Sequence, residues 1–193
     1  MDTSAFTDRP TLLGERVLLR PVTVADAPGL VELLGDPESR RLTGTHGHDG
    51  PDIEADAQRW YASVADRTDR LDLAIRARSD GEFVGEAVLN ELDEANRSCS
   101  FRICLVGPRV FGRGYGTEAT RLLLGHAFET VGLNRVGLEV FAFNPRARRV
   151  YEKVGFVHEG TRRQALRWDG EWVDAHDMSV LAEEWAVHGG RVG

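Results

Sequence analysis

Cysteine is scarce: Cys99 and Cys104 are the two in 193 residues. They fall on one strand-like stretch at an odd spacing that turns their side chains to opposite faces, which excludes a disulfide between them. Stability must then come from packing. No apolar run approaches the ~20 residues that a membrane helix needs, so no membrane partner is expected. Met1 to Pro10 is polar and acidic rather than basic and then apolar, which argues against a secretory leader and for a cytoplasmic location. No Cys/His group has zinc-ligand spacing. His46 and His48 lie in a Gly/Asp-rich loop and read as solvated histidines, and no metal is expected. Internal repeats and low-complexity segments are lacking too.

A broad basic face is also missing. The net charge is −7, yet residues 101 to 153 carry an excess of arginine between acidic flanks. Positive charge confined to one segment excludes nucleic acid as the main partner and suits a compact anionic ligand, while the flanks suit a cationic one. At 193 residues one domain is expected over 1–193.

The most informative stretch is Phe111-Gly112-Arg113-Gly114-Tyr115-Gly116-Thr117-Glu118-Ala119. Three alternating glycines run into a helical pattern, so the backbone approaches a ligand closely and the helix aims free N–H groups at it. A phosphate-bearing ligand is the natural occupant. The spacing is one residue short of the dinucleotide-binding pattern, and Thr117 and Glu118 stand where a P-loop places lysine.

Arg16 to Pro21 reads as a strand, and Thr23 caps a helix with Leu30, Leu33 and Leu34 that ends near Asp36-Pro37. Thr43 to Pro51 is a long loop, and a helix with Ala57, Trp60, Tyr61 and Val64 follows. From Leu71 the period becomes two: a hairpin turns at Ser79 to Glu82, returns from Phe83 to Asn90, and leads into a strand from Ser98 to Val106. A helix over 117–130 ends at Gly132. Arg135 to Phe141 is a strand, Asn144-Pro145 opens another helix that Gly155 closes, and Trp172 to Leu181 is a long strand after a turn. Strand–helix–strand units imply a locally parallel pair in a mixed sheet.

The segment Asn144-Pro145-Arg146-Ala147-Arg148-Arg149-Val150-Tyr151-Glu152-Lys153-Val154-Gly155-Phe156 resembles the Asn-x-x-Ala-x-x-x-Tyr-x-x-x-Gly-Phe signature of the GCN5-related N-acetyltransferase (GNAT) superfamily. With the glycine loop upstream the likeness extends over about 12–185, leaving short flexible termini. The layout is most similar to the RimJ/RimL ribosomal-protein-alanine N-acetyltransferase branch. The resemblance implies an α/β (α+β) fold: a mixed, mostly antiparallel central sheet flanked by helices, with a splayed strand before the glycine loop. It implies acetyl-CoA as acyl donor, an amine acceptor that is a small molecule or a protein N-terminus, and direct attack in a ternary complex. Many relatives form homodimers, so a homodimer is expected by analogy.

A glycine cradle with arginines nearby suits coenzyme A phosphates. The candidates are Arg109, Arg113, Arg146, Arg148 and Arg149, Arg113 first. By resemblance the pantetheine arm lies along Cys104, Leu105 and Val106, where the N–H of Leu105 or Val106 faces the oxyanion. Cys104 has no histidine near it in sequence to activate it as a nucleophile. Tyr151 lies two helical turns after Asn144 on one face. By resemblance Tyr151 protonates the departing thiolate, a role that a phenol of pKa near ~10 can fill, and Asn144 binds the CoA arm. The family's Gln or Arg at the first motif position is Phe111 here, and the serine of some relatives is Ala147. The amine must lose a proton, for which Glu86, Asn90, Glu118, Asp174 and His176 are candidates; Glu118 is equally a helix-dipole partner. His46 lies where relatives shape the acceptor site. A non-catalytic acyl-CoA sensor and a larger donor such as succinyl-CoA are the other readings.

Overall fold

The computed structural model describes Phe6, residues 8 to 47 and residues 52 to 188. β1 (Leu12–Leu13) and β2 (Val17–Pro21) precede a 3-10 turn (Val24–Asp26), α1 (Ala27–Gly35), α2 (Pro37–Thr43) and α3 (Ile53–Val64). Then come β3 (Leu71–Ala77), β4 (Phe83–Asp93), β5 (Ser98–Leu105) and α4 (Tyr115–Gly125), which runs on into a π-helical turn (His126–Val131). β6 (Arg135–Phe141), α5 (Pro145–Val154), β7 (Val157–Trp168), β8 (Glu171–Leu181) and α6 (Ala182–His188) complete the chain.

The eight strands form one sheet in the order β1-β2-β3-β4-β5-β6-β8-β7. Every neighbouring pair is antiparallel except β5 with β6, which run parallel. That parallel pair holds at Ser98↔Arg135, Cys99↔Val136 and Ser100↔Gly137 and then stops, although both strands continue. The result is the expected splay, with β5 open toward β6 from Phe101 to Leu105.

Period-two alternation sorts the side chains into two faces. Leu71, Leu73, Ile75 and Ala77 join Val136, Leu138, Val140, Met178 and Val180 in the buried core, with Ala119, Leu123 and Leu124 of α4 and Tyr151 and Val154 of α5. The opposite face is polar. Its rows read Ala74↔Glu86↔Cys104, Asp72↔Val88↔Arg102 and Asn90↔Ser100↔Gly137↔Ser179. Cys99 and Cys104 are free thiols on opposite faces, as their spacing requires.

β4 carries a bulge: Ile75 faces Gly85 while Arg76 faces Phe83, so Val84 is the extra residue. Bulges of this kind bend a strand and re-aim the side chains that follow. Gly85 sits at φ 157°, and a Cβ there would lie 2.2 Å from the Cys104 carbonyl oxygen. Gly85→Ala should therefore push β4 off β5 beside Glu86 and destabilise the fold by about 1–3 kcal/mol, measured as a lowered urea midpoint.

Four elements escape the sequence reading: the two-residue β1, α2, β7 and the closing helix α6. α2 is a single polar helix on which Glu38, Arg40 and Arg41 leave little apolar periodicity. β7 is the outermost strand, and most of its residues are exposed on both faces, so no alternation marks it.

Candidate active site

The glycine stretch forms a cradle at the N-terminus of α4. Gly112 and Gly114 adopt φ 75° and 83°, and Gly114 is the helix N-cap. An added Cβ at Gly112 would meet nothing within 4 Å, so the space beside that glycine is open. The first intrahelical bond runs from Glu118 N to Gly114 O, which leaves the N–H groups of Tyr115, Gly116 and Thr117 for a guest. Arg113 and Arg149 are exposed and without ion-pair partners among the described residues. Arg146 lies flat on the Phe111 ring, its guanidinium carbon 3.7 Å from the ring centre. The aromatic residue at the first motif position thus carries a cation on its face.

The cradle lies next to the end of β5. There Val106 donates its N–H to the Val84 carbonyl (3.0 Å), which makes 84↔106 a hydrogen-bonded pair. Such pairs alternate along antiparallel strands, so the next residue, Leu105, turns its N–H away from β4 into the splay. The Leu105 carbonyl is taken by Ser39 Oγ (2.9 Å), which also accepts the Gly107 N–H (3.0 Å). α2 is thereby fastened across the mouth, and Asn144 Nδ2 donates to the Leu42 carbonyl on its far side (3.3 Å).

Tyr151 projects from α5 into the apolar face near the splay, edge-on to Phe101 and Phe156. Burial, with the nearby Cys104, raises its phenol above the ordinary range, so it holds its proton at neutral pH. The Cys104 thiol is pushed up to about 12 by burial and by Glu86, which leaves no thiolate for nucleophilic attack.

Glu86 stands directly across from Cys104 on β4, on the polar face. Tyr61 of α3 donates its hydroxyl to Glu86 Oε2 at 2.7 Å. Burial, aided by the charge of Asp72, raises the Glu86 carboxyl to about 7 against the pull of Tyr61, Arg70 and Arg102. A carboxylate poised near neutrality beside a strand opening is suited to accepting a proton. Beneath it Asp26, 2% exposed, is gripped by Arg20 (2.8 and 2.7 Å) and by Arg76. Burial alone would raise the Asp26 carboxyl, but Arg20, the Thr23 N–H and Arg76 outweigh it and hold it at about 2.

A splayed parallel pair, a glycine cradle at the adjoining helix and a capped Asn-to-Tyr helix form one constellation, and a family model for the acetyltransferase (GNAT) domain matches residues 16–157. The chain belongs to the GNAT acetyltransferase family. YdaF of Bacillus subtilis (strain 168), provisionally named a ribosomal N-acetyltransferase, is 29% identical over 179 residues, covering 90% of this chain and 95% of that protein. The L-amino acid N-acetyltransferase AaaT of Escherichia coli (strain K12) is 33% identical over 122 residues, covering 62% of this chain and 74% of that protein. Among solved structures, spermidine N-acetyltransferase from Vibrio cholerae in complex with CoA and spermine superposes with a TM-score of 0.81 at 20% identity, covering 90% of this chain and 99% of that one. That last likeness concerns the fold.

Within this GNAT chain several expected site residues are engaged elsewhere. The Val106 N–H is spent on Val84, so Leu105 remains of the two candidate donors. The Glu118 carboxylate accepts the backbone N–H groups of Glu15 and Arg16 and so pins the β1–β2 turn to α4. Arg109 is bound by Glu32 (2.8 Å) and Glu82 (2.7 Å), not turned to the cradle. Arg148 pairs with Glu152 one turn along α5. Asn144 accepts the Ala147 N–H as N-cap, in addition to its hold on Leu42. His176 lies at an odd spacing from Ser179 and hence on the face opposite Glu86, where its Nδ1 contacts Thr161 Oγ1 at 3.0 Å beside His158. Asp174 accepts the Gln164 N–H within the β7–β8 hairpin. His46 stacks on Trp168 at 5.3 Å, while His48 lies outside the described residues. Asn90 is on the Glu86 face, with its buried Oδ1 unpartnered.

Tyr61, Ser39 and Arg102 were not anticipated. The helical pattern grouped Tyr61 with Ala57, Trp60 and Val64 but gave no partner for it. No helix among the described residues is long and apolar enough to cross a membrane, and no cluster of three or more His, Cys, Asp or Glu side chains among them could hold a metal.

Proposed function

We propose that this GNAT protein transfers an acetyl group from acetyl-CoA to a primary amine by direct attack, with Glu86 as the general base. Acetyl-CoA, when bound, supplies the activated acyl thioester. Its phosphates would be held at Gly112, Gly114 and the free N–H groups of 115–117, with Arg113 in the loop, Arg146 on the Phe111 ring and Arg149 one turn further along α5 as the cations. Glu86 takes the proton from the acceptor's ammonium, which has no lone pair until it is removed. The Leu105 N–H, directed into the splay, donates to negative charge that builds there. Tyr151 keeps a proton to give to the leaving thiolate.

The observation that carries this reading is Glu86 itself: a carboxylate held near neutrality by burial, fixed by Tyr61, directly across the strand pair from Cys104 at the splay. Tyr151→Phe tests the acid at the other end. It should lower kcat for CoA release by about 10²-fold while calorimetry finds acetyl-CoA affinity within a factor of two. Unchanged turnover would remove Tyr151 from the chemistry. Loss of affinity with unchanged kcat would make it a packing residue. The likeness to AaaT, an L-amino acid N-acetyltransferase, supports a small amine as acceptor, and that to YdaF a ribosomal one. A single domain in the cytoplasm, pairing through the outer hairpin, remains our reading of the whole chain.

A further inference from the structure

The polar face around Glu86 is rich in carboxylates, yet most of those near it are held by arginines. Asp72 is held bidentately by Arg70 at 2.6 Å. Asp26 is held by Arg20 and Arg76. Along the row into β6 and β8, Glu139 and Asp177 share Arg162, and Glu159 pairs with Arg135. Glu91 accepts the Ser100 hydroxyl at 2.6 Å. A polycation entering here would have to displace these partners, and at Asp72 and Asp26 it would strand largely buried arginines.

Among the described residues of the same face one arginine is not engaged by a carboxylate. Arg102 lies on β5 opposite Val88, one row from Glu86↔Cys104, with an exposed side chain and no ion-pair partner among the described residues. Diagonal neighbours on a strand pair stand about 7–8 Å apart, within reach of a long side chain, and Arg102 acts electrostatically on both Glu86 and Cys104. One row further, Asn90 presents its unpartnered buried oxygen. A base, a free cation and an open hydrogen-bond acceptor thus follow one another along the face.

We infer that the acceptor is an amino carboxylate, whose amine meets Glu86 while its carboxylate is held by Arg102. This rests on Glu86 lying in the acceptor site. A guanidinium suits a carboxylate because its planar N–H fork makes two charge-assisted bonds, whereas a second ammonium would be repelled by it. In an α-amino acid the two groups flank a single carbon, which matches adjacent rows on the face.

The test compares the common L-amino acids, their α-amides and spermidine, by turnover and by calorimetric binding to the CoA-loaded protein. Arg102→Ala, Arg102→Lys and Arg102→Glu are the variants. Wild type should favour the best amino acid over its amide by about tenfold or more in kcat/KM and in affinity. Arg102→Ala should erase that difference by weakening the acid alone, Arg102→Lys should restore part of it, and Arg102→Glu should invert it. Amides or spermidine used as well as free amino acids by wild type would overturn the inference, in favour of a peptide terminus or a polyamine. Selective binding of amino acids through Arg102 without any turnover would sustain the inference and sink the catalytic reading. No binding of amino acids would overturn it outright.

Discussion

Glu86→Gln should lower kcat/KM by about 10²–10⁴-fold, leave acetyl-CoA binding intact, and make the protein more stable at pH 8. Glutamine keeps an oxygen for the Tyr61 hydroxyl, which is 2.7 Å from the carboxylate, but cannot take a proton from an amine. The gain in stability follows from the raised carboxyl, from 4.5 to about 7. Between those values the unfolded chain has released the proton that the folded chain retains, so stability falls as pH rises through the window. A shift of that size corresponds to about 2–3 kcal/mol above pH 7 once solvent access to a partly exposed group is allowed for. Thermal melts should place the variant above wild type at pH 8 and level with it near pH 4.5. A variant that is both active and no more stable at pH 8 would show that Glu86 is neither strained nor a base.

Asp26→Ala should be the most damaging change outside the chemistry, lowering stability by about 3–5 kcal/mol at pH 7. The substitution strands two arginines, Arg20 and Arg76, and removes the acceptor for the Thr23 N–H and hydroxyl. Asp26→Asn retains the shape and one acceptor and should cost less. Because Asp26 is depressed from 3.8 to about 2, its contribution is complete above about pH 4 and fades as pH falls toward 2. Urea titration should give a lower midpoint with an unchanged slope at pH 7, and a difference from wild type that narrows near pH 2. An equal difference at both pH values would mean that packing, not charge, explains the loss.

Much of this site was legible before the fold. The glycine loop, the Asn144 cap and the Gly155 stop are local features, and local chemistry survives folding almost unchanged. The Val136, Leu138 and Val140 alternation placed a buried strand because all three face one core. What could not be read were contacts between distant segments. Glu86 was one acid among five candidates until α3 delivered Tyr61 to it from 25 residues away. Val106 looked as good a donor as Leu105, since only the pairing with Val84 decides which N–H points outward. Glu118 in a first helical turn suggested either a base or a dipole partner, and the β1–β2 turn took it instead. Arg102 carried no signal at all in the sequence, because its meaning lies in the neighbouring carboxylates being taken by other arginines.

The most direct test is the release of CoA thiol from acetyl-CoA by wild-type protein between pH 5.5 and 9, with and without amine, each product mixture weighed by mass spectrometry. We expect amine-dependent release that rises through about pH 7 as Glu86 ionises, an acetylated amine in equal amount, and unmodified protein. Release without amine, an acetyl group left on Cys104, or a rate indifferent to pH across that range would contradict direct attack assisted by Glu86.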